Sequence, residues 1–498
     1  MNTADYLLET ADDSRTAILT RSREYTYGQL RAACARLAGE LAARGIEAGD
    51  RVGLLGENSL FWVASYLAIL KLGAVAVPFP TVSTPADFHR KERFVRSKAL
   101  CIEKKLERRF SSGIAGGLIL VNDDVLAAAG PSCWDPPQPG FAVQRDAALM
   151  LTSGTTALPR AVRITHRNVQ ANTNSIMQYL ELDSRERILV VLPFYYCFGT
   201  SLLHTHLRAG GSLALCNTFA YPETALDMLQ SSQSTGLAGV PSTFQTLLRN
   251  STFPSRRFPS LRKVQQAGGK LQKVFLEELR ACLPGARIFV MYGQTEATAR
   301  LSYLPPELLE TKMGSIGRGI PGVSLRVLNE SGQDVKPGEV GEIVACGENV
   351  SPGYLDDPES SAETFGGGVL RAGDLAMVDE DGFIYIVDRK SDFIKSLGHR
   401  VSSQEIEARV LELPDVVAAA AIGEPDPVQG EAIKVFITLR KNSRISPDAV
   451  LQHCRATMAR HMVPKQVVVL DRLPTNAHGK VVKAMLRGQG SSGQTVTV

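Results

Sequence analysis

The stretch Leu151-Thr152-Ser153-Gly154-Thr155-Thr156-Ala157-Leu158-Pro159-Arg160 decides how the rest of this 498-residue chain is read. The apolar run Ala147 to Leu151 predicts a strand. It empties into a turn holding four hydroxyl side chains and a glycine, and the turn ends in a proline and a guanidinium. Hydroxyls and free backbone N–H groups in such a turn donate to phosphate oxygens, and Gly154 lets the backbone approach closely. Arg160 adds a planar charge suited to phosphate. The Walker pattern needs Gly, four spacers, then Gly-Lys-Ser/Thr, and this loop lacks it. Alone, the stretch equally describes a polar surface loop after a strand; the remainder of the chain weighs against that.

The length exceeds one ordinary core, so two or three domains are expected. A hydrophobic fraction of 44% with 21% charged residues belongs to a globular protein in water. A net charge of +4, with no long basic run and no aromatic-interleaved basic patch, gives nucleic-acid binding little support. The eight cysteines are scattered without a CxxC pair, which argues against a structural zinc site and for reduced thiols. The start, Met1-Asn2-Thr3-Ala4-Asp5, lacks a signal peptide's basic opening and apolar core. The most apolar window, Leu60 to Pro80, is broken by Lys71 and ends in prolines, so it reads as a buried helix and strand. The chain is expected to be soluble and cytoplasmic, with no membrane span.

Tyr25 to Arg44 carries apolar residues at helical spacing and is closed by Gly45. A strand at Arg51–Leu55, a helix from Ser59 to Leu72 and a strand at Ala74–Val77 follow. The same alternation returns from Asn168 through Val191 and from Tyr221 through Val240. It predicts an α/β fold: a large N-terminal domain of mostly parallel sheets with helices on both faces. From about Gly314 glycines and prolines multiply and short strands follow (Leu325–Val327, Glu342–Ala345, Ile384–Val387), predicting a β-rich subdomain over 314–389. A small α+β domain over 393–487 comes after it. The residues 488–498, rich in Gly, Ser and Gln, read as a disordered tail.

Further signals come in order along the chain. Met291-Tyr292-Gly293-Gln294-Thr295-Glu296 follows a strand; its Tyr-Gly turn can offer an aromatic face to a purine, and Thr295 and Glu296 can offer oxygens to Mg²⁺. Ala267-Gly268-Gly269 has almost no bulk to obstruct a flat ring. Gly373-Asp374 reads as a turn whose carboxylate could accept both ribose hydroxyls. Asp388-Arg389 follows a strand, and Lys480 stands in Pro474-Thr475-Asn476-Ala477-His478-Gly479-Lys480. Each has an ordinary reading: a plain turn, a solvated lysine. Their joint order does not.

In that order the chain resembles the superfamily of adenylate-forming enzymes: acyl- and aryl-CoA synthetases, peptide-synthetase adenylation domains and luciferases. The resemblance covers nearly everything from Tyr25 to Arg487. It implies ATP and Mg²⁺ as cofactors and the following roles. Thr152, Ser153, Gly154, Thr155, Thr156 and Arg160 close over the β- and γ-phosphates. Tyr292 stacks on adenine against Gly268 and Gly269, with Met291, Gly293, Ile386 and Lys395 also on the nucleotide side. Thr295 lies near the α-phosphate, Glu296 and Thr155 attend the metal, Asp374 holds the ribose with Arg389 beside it, and Lys480 bridges the substrate carboxylate and the α-phosphate. The hinge falls at 390–392 with Ser391 as pivot, where many relatives have Asp or Lys, between a core of residues 1–389 and a mobile domain of 393–487. Further departures are Ala157 and Ala161 for usual glycines and Arg160 for a common Lys. None removes a catalytic group.

The resemblance places the acid pocket at Tyr195, Tyr196, Cys197, Phe198, Gly199, Ala238, Gly239, Val240, Ala267, Gly268, Gly269 and Met291. Peptide-synthetase domains usually carry Phe-Asp where Tyr196-Cys197 stands, the Asp pairing with the substrate ammonium. A thiol gives no fixed counter-charge unless deprotonated. Free-standing enzymes that load L-proline onto the phosphopantetheine arm of a separate carrier protein, in antibiotic-type secondary metabolism, are the closest overall likeness. The expectation is therefore prolyl activation, with an acyl- or aryl-CoA ligase as the alternative. A catalytically silent nucleotide sensor is a third reading, which Asp374 and Lys480 oppose. No carrier-domain serine motif is present, so the thiol would come from a separate molecule.

Overall fold

The structure is a computed structural model of the 498-residue chain. It describes residues 1–110, 118–128, 130, 133–152, 160–389, 392–426, 429–476, 481–487 and 495–497.

Two sheets carry the larger part. One has nine strands, in the order Arg318–Gly319, Ser302–Leu304, Arg287–Tyr292, Lys263–Gln266, Gly236–Gly239, Arg187–Val190, Ser212–Leu215, Thr16–Leu19 and Glu24–Thr26. It is parallel from Arg287–Tyr292 to Thr16–Leu19 and antiparallel at its edges. The other has six strands: Ile119–Val121, Ala99–Ile102, Arg51–Leu55, Val75–Pro78, Asp146–Thr152 and Arg160–Thr165, the last antiparallel. The helices Tyr27–Ala43, Leu60–Lys71, His166–Leu180 and Cys197–Arg208 fill the space between the sheets. Their apolar residues share one core with residues from both sheets.

Strand side chains alternate accordingly. Leu213 and Leu215 enter that shared core, while Ala214 between them packs against the outer helices Pro222–Ser231, Pro241–Asn250 and Lys273–Cys282. Both faces are covered, which is why these strands read as unbroken apolar runs. Local signals start the helices. Thr26 and Gln29 form a reciprocal capping box before Tyr27–Ala43, and the Ser59 hydroxyl accepts from the Trp62 N–H at 3.2 Å before Leu60–Lys71.

The β-rich part is a four-stranded antiparallel sheet of Val323–Leu328, Gly341–Gly347, Leu370–Val378 and Ile384–Arg389. The last layer pairs Gly430–Leu439 antiparallel with Val416–Asp426 and parallel with Gln466–Val469, flanked by helices Ser403–Leu411 and Pro447–Thr457. Of the tail expected to be disordered, 488–494 and 498 lie outside the described residues, and the expectation is corrected at Thr495–Thr497, which adds an antiparallel strand beside Gln466–Val469. A Thr-Val-Thr triplet has β propensity, and an open strand edge offers it partners. Among the described residues no helix is long and apolar enough to cross a membrane.

Helix Ser403–Leu411 is held at both ends by residues from elsewhere in the chain. At its start, Asp388 Oδ2 accepts from the Ser403 N–H (2.9 Å) and from the Ser402 and Ser403 hydroxyls (2.9 and 3.1 Å). At its end, the fully buried Arg249 donates to the carbonyls of Leu411 and Leu413 (3.2 Å each) and to that of Val416. An anion at the N-terminus and a cation at the C-terminus both match the helix dipole. Arg249→Met removes one of these clamps and leaves carbonyls uncapped. It should cost about 3 kcal/mol at this contact, read as faster hydrogen exchange over residues 403–411 with the sheets unaffected.

The layer between the sheets also buries histidines. His204 Nε2 lies 2.9 Å from the Tyr66 hydroxyl, and burial pushes His204 down to about 3 and His206 to about 4, from an ordinary 6.5. The unfolded chain takes up these protons near 6.5 and the native chain does not, so stability falls as pH drops below that value. The loss should reach about 2 kcal/mol per histidine by about pH 5. Denaturant midpoints across that window should slope accordingly, and His204→Gln should flatten the slope.

Candidate active site

Four neighbouring parallel strands, Arg187–Val190, Gly236–Gly239, Lys263–Gln266 and Arg287–Tyr292, end side by side: Gly239 is level with Gln266, and Gln266 with Val290. The segments beyond these ends carry Tyr195 to Gly199, Val240, Ala267 to Gly269, and Gly293 to Glu296. Such strand ends are where open α/β sheets bind ligands. A cleft of about 310 Å³ opens there. Of the residues singled out from sequence, Val240, Gly268, Gly269, Met291, Tyr292, Gly293, Asp374, Ile386 and Arg389 line it.

The polar wall is built across the β-rich sheet. Asp374 and Arg389 face one another on adjacent strands, with Arg389 Nε 3.3 Å from Asp374 Oδ1. The Tyr292 hydroxyl donates to Asp374 Oδ2 at 2.6 Å. Burial, then the charge of Asp374, pushes that hydroxyl well above its ordinary value, so it remains a donor. Asp374 lies inside the strand Leu370–Val378 and not in a turn as expected; Gly373, at φ +72°, supplies the bend the sequence suggested.

Opposite, Gly268 sits at φ +84°, and a Cβ there would lie 2.9 Å from the Tyr196 hydroxyl and from Val240 Cγ1. A Cβ on Gly269 would meet Pro241 at 3.2 Å. This glycine wall facing an aromatic ring leaves a slot with the chemistry of a purine site. Nε2 of Gln294, in the same lining, is buried without a hydrogen-bond partner.

The segment expected to hold the acid joins this wall. Tyr196 and Phe198 are buried, and the Thr295 hydroxyl donates to Cys197 Sγ at 3.5 Å. Gly199 allows the segment to turn close, since a Cβ there would fall 2.1 Å from the Pro193 carbonyl oxygen; one on Gly239 would lie 2.8 Å from Thr243. Ala267 is also buried. On the far side, Thr152 and Arg160 are paired across a hairpin. Arg160 donates to Ser360 Oγ at 3.0 Å and stands 5.4 Å over the Tyr354 ring, whose hydroxyl donates to Glu296 Oε1 at 3.1 Å. Tyr354 thus links the phosphate hairpin to the expected metal ligand. Among the described residues no cation forms an ion pair with Glu296, a donor set that suits Mg²⁺.

Ser153, Gly154, Thr155, Thr156, Ser391 and Lys480 lie outside the described residues. Lys395, on the strand Ile394–Ser396, is exposed and does not line the cleft; its backbone N–H donates to Glu431 at 2.6 Å. Sequence reasoning passed over Tyr354, Gln294, Arg300 and the Lys483–Glu407 pair (2.8 Å) at the cleft's outer end. Gln294 and Arg300 flank the Thr-Glu pair, so proximity in sequence was their available signal; Tyr354 and Lys483 reach the site only through folding.

A slot for a flat base beside a carboxylate–guanidinium pair at parallel strand ends defines a nucleotide-using α/β enzyme. The chain belongs to the AMP-binding enzyme family, matching it over residues 9–355, and the AMP-binding enzyme C-terminal domain over residues 405–480. It is an ATP- and Mg²⁺-dependent, AMP-forming ligase that makes a thioester through an acyl adenylate. It is 33% identical to a feruloyl-CoA synthase of an Amycolatopsis species over 95% of each chain. Among solved structures it resembles an anthranilate CoA ligase bound to anthranoyl-AMP (25% identity, TM-score 0.91, 98% and 96% of the two chains). It also resembles the o-succinylbenzoate CoA synthetase of Bacillus subtilis with ATP and magnesium (27% identity, TM-score 0.85, 98% and 99%).

Gly268→Ala tests the slot. Its strained φ and close contacts should cost about 1.4 kcal/mol, or about tenfold in ATP affinity, measured by calorimetry with the circular dichroism spectrum unchanged.

Proposed function

We propose that this chain is an acyl- or aryl-CoA ligase that activates a small carboxylic acid other than an α-amino acid. The observation that carries the reading is the Tyr292–Asp374–Arg389 cluster facing Gly268 and Gly269 in one cleft beside the Tyr196–Gly199 segment. Adenine stacks on Tyr292, Asp374 takes the ribose hydroxyls, and Arg389 screens the carboxylate. The segment from Thr152 through Ser153, Gly154, Thr155 and Thr156 to Arg160 grips the β- and γ-phosphates. Glu296 and Thr155 would hold Mg²⁺, which when bound would offset charge on the phosphoryl oxygens.

A substrate carboxylate oxygen attacks the α-phosphorus, and pyrophosphate leaves with the bridging oxygen. Two anions must meet in this step. Lys480 lies between them in the proposed complex and stabilises the charge that spreads over the phosphoryl oxygens. The CoA sulfur then attacks the acyl carbon and AMP leaves. Between the two steps, residues 393–487 rotate on 1–389 about Ser391, a small residue able to absorb the backbone change.

CoA as the acceptor is supported by the relatives, which are named as CoA synthases and ligases. The expected L-proline and carrier protein find no support among them. The pocket's own chemistry also opposes an α-ammonium group: Cys197 stands where a carboxylate would be needed, and the guanidinium of Arg300 lies beneath Phe198, 4.0 Å from its ring. A cation placed beside a buried cation is repelled.

Acid-dependent ATP–pyrophosphate exchange tests the first half-reaction, with L-proline beside aliphatic and aryl acids. Addition of CoA or a phosphopantetheinylated carrier protein tests the second. Proline-only exchange would overturn this reading. Lys480→Ala should slow exchange by about 10²–10³-fold, by analogy with a lost oxyanion donor, while ATP still binds.

A further inference from the structure

Arg300 is 1% exposed, yet the partners of its guanidinium are neutral and mostly weak, the Tyr179 hydroxyl beside it among them. Nε donates to the thioether sulfur of Met291 at 3.4 Å, and Nη1 to the carbonyl of the preceding residue, Ala299, at 3.3 Å. Nη2 is buried and, among the described residues, has no hydrogen-bond partner. Among the described residues no carboxylate forms an ion pair with it. Burying a guanidinium without a counter-ion is costly, and folded proteins retain such a group where something else supplies the partner.

The backbone is strained to hold it there. Thr298 is at φ 56° and Ala299 at φ 111°, a region that L residues rarely enter. Asn349 Nδ2 donates to the carbonyls of Ala297 (3.2 Å) and Arg300 (2.8 Å), and Asn172 Nδ2 donates to the Arg300 carbonyl at 3.1 Å. Gly293 makes the close approach possible: a Cβ there would lie 2.0 Å from the Ala299 oxygen. Strain this closely over-determined, one turn from the nucleotide slot, positions the side chain that follows it.

That side chain lies against the acid pocket, between Met291, which lines the cleft, and the Phe198 ring. We propose that the unpartnered edge of Arg300 recognises a second oxygen acceptor on the substrate, distal to the carboxylate that is adenylated. The enzyme's acids are then those carrying a distal anionic oxygen, a second carboxylate matching a planar donor best. Met291 is a flexible wall through which that oxygen reaches the guanidinium. The inference rests on the reading of the chain as an acid-activating ligase and names the class of acid.

The test is pyrophosphate exchange with matched acids that differ in one distal oxygen group: succinate against butyrate, and 4-carboxybenzoate against 4-methylbenzoate. The native enzyme should favour the oxygen-bearing member by about 100-fold or more in kcat/KM. Arg300→Met should abolish that ratio, lowering the first member while leaving the second within about threefold; Arg300→Lys should restore part of it. No preference in the native enzyme overturns the proposal without need of any variant. An equal loss on every acid in Arg300→Met also overturns it, because the residue is then a strut. Absence of exchange with every acid, ATP still binding, overturns the ligase reading itself and this inference with it.

Discussion

The level ending of four adjacent parallel strands is the constraint on which the rest of this molecule depends. Residues far apart in sequence, from Tyr196 to Tyr292, become neighbours because the ladder sets Leu237 beside Leu189, Gln266 beside Gly239 and Val290 beside Gln266. A slip of one residue in any of these pairings would turn its side chains to the opposite face. The covering of both faces forbids such a slip: Ala214 and Leu213 belong to different cores. The hydrophobic packing of the sheets thereby fixes the geometry of the cleft, whose lining shares Val240, Met291 and Val290 with those cores.

Polar groups then do locally what apolar packing cannot. Asp374 is drawn to the cleft wall by its cross-strand partner Arg389 and accepts from Tyr292, so one carboxylate connects the β-rich sheet to the large sheet. Tyr354 connects the Glu296 side to the hairpin that bears Arg160. The last layer is attached by charge at both ends of a single helix, Asp388 at its start and Arg249 at its end. Contacts of this kind are directional and depend on one orientation, unlike an apolar face that tolerates sliding. They suit the junction that the proposed rotation between the two half-reactions would make and break.

The acid pocket follows a different logic. Adenine, ribose and phosphates offer fixed chemistry, and the groups proposed to face them stand in short, recognisable stretches. The pocket proposed for the acid is a surface without a motif: Phe198 and Met291 are ordinary residues until folding brings them together around Arg300. A carboxylate at position 197 would have created a site for an ammonium group.

The amino-acid sequence by itself determined the fold class, the helix and strand alternation, and much of the cleft's lining. Periodicity and capping are local, and Gly268, Tyr292, Asp374 and Arg389 stand in short runs whose order is informative. It misjudged Asp374 as a turn residue, because Gly373 is a turn signal in sequence and a bend within a strand in three dimensions. It passed over Thr495–Thr497, because composition says nothing of an open edge waiting at Gln466–Val469. Only the tertiary structure decided that Tyr354 reaches Glu296, that Asp388 and Arg249 hold one helix between them, and that Arg300 lies buried beside the acid pocket. Those facts depend on residues distant in the chain, and a buried charge without a partner is visible only when everything around it has been placed.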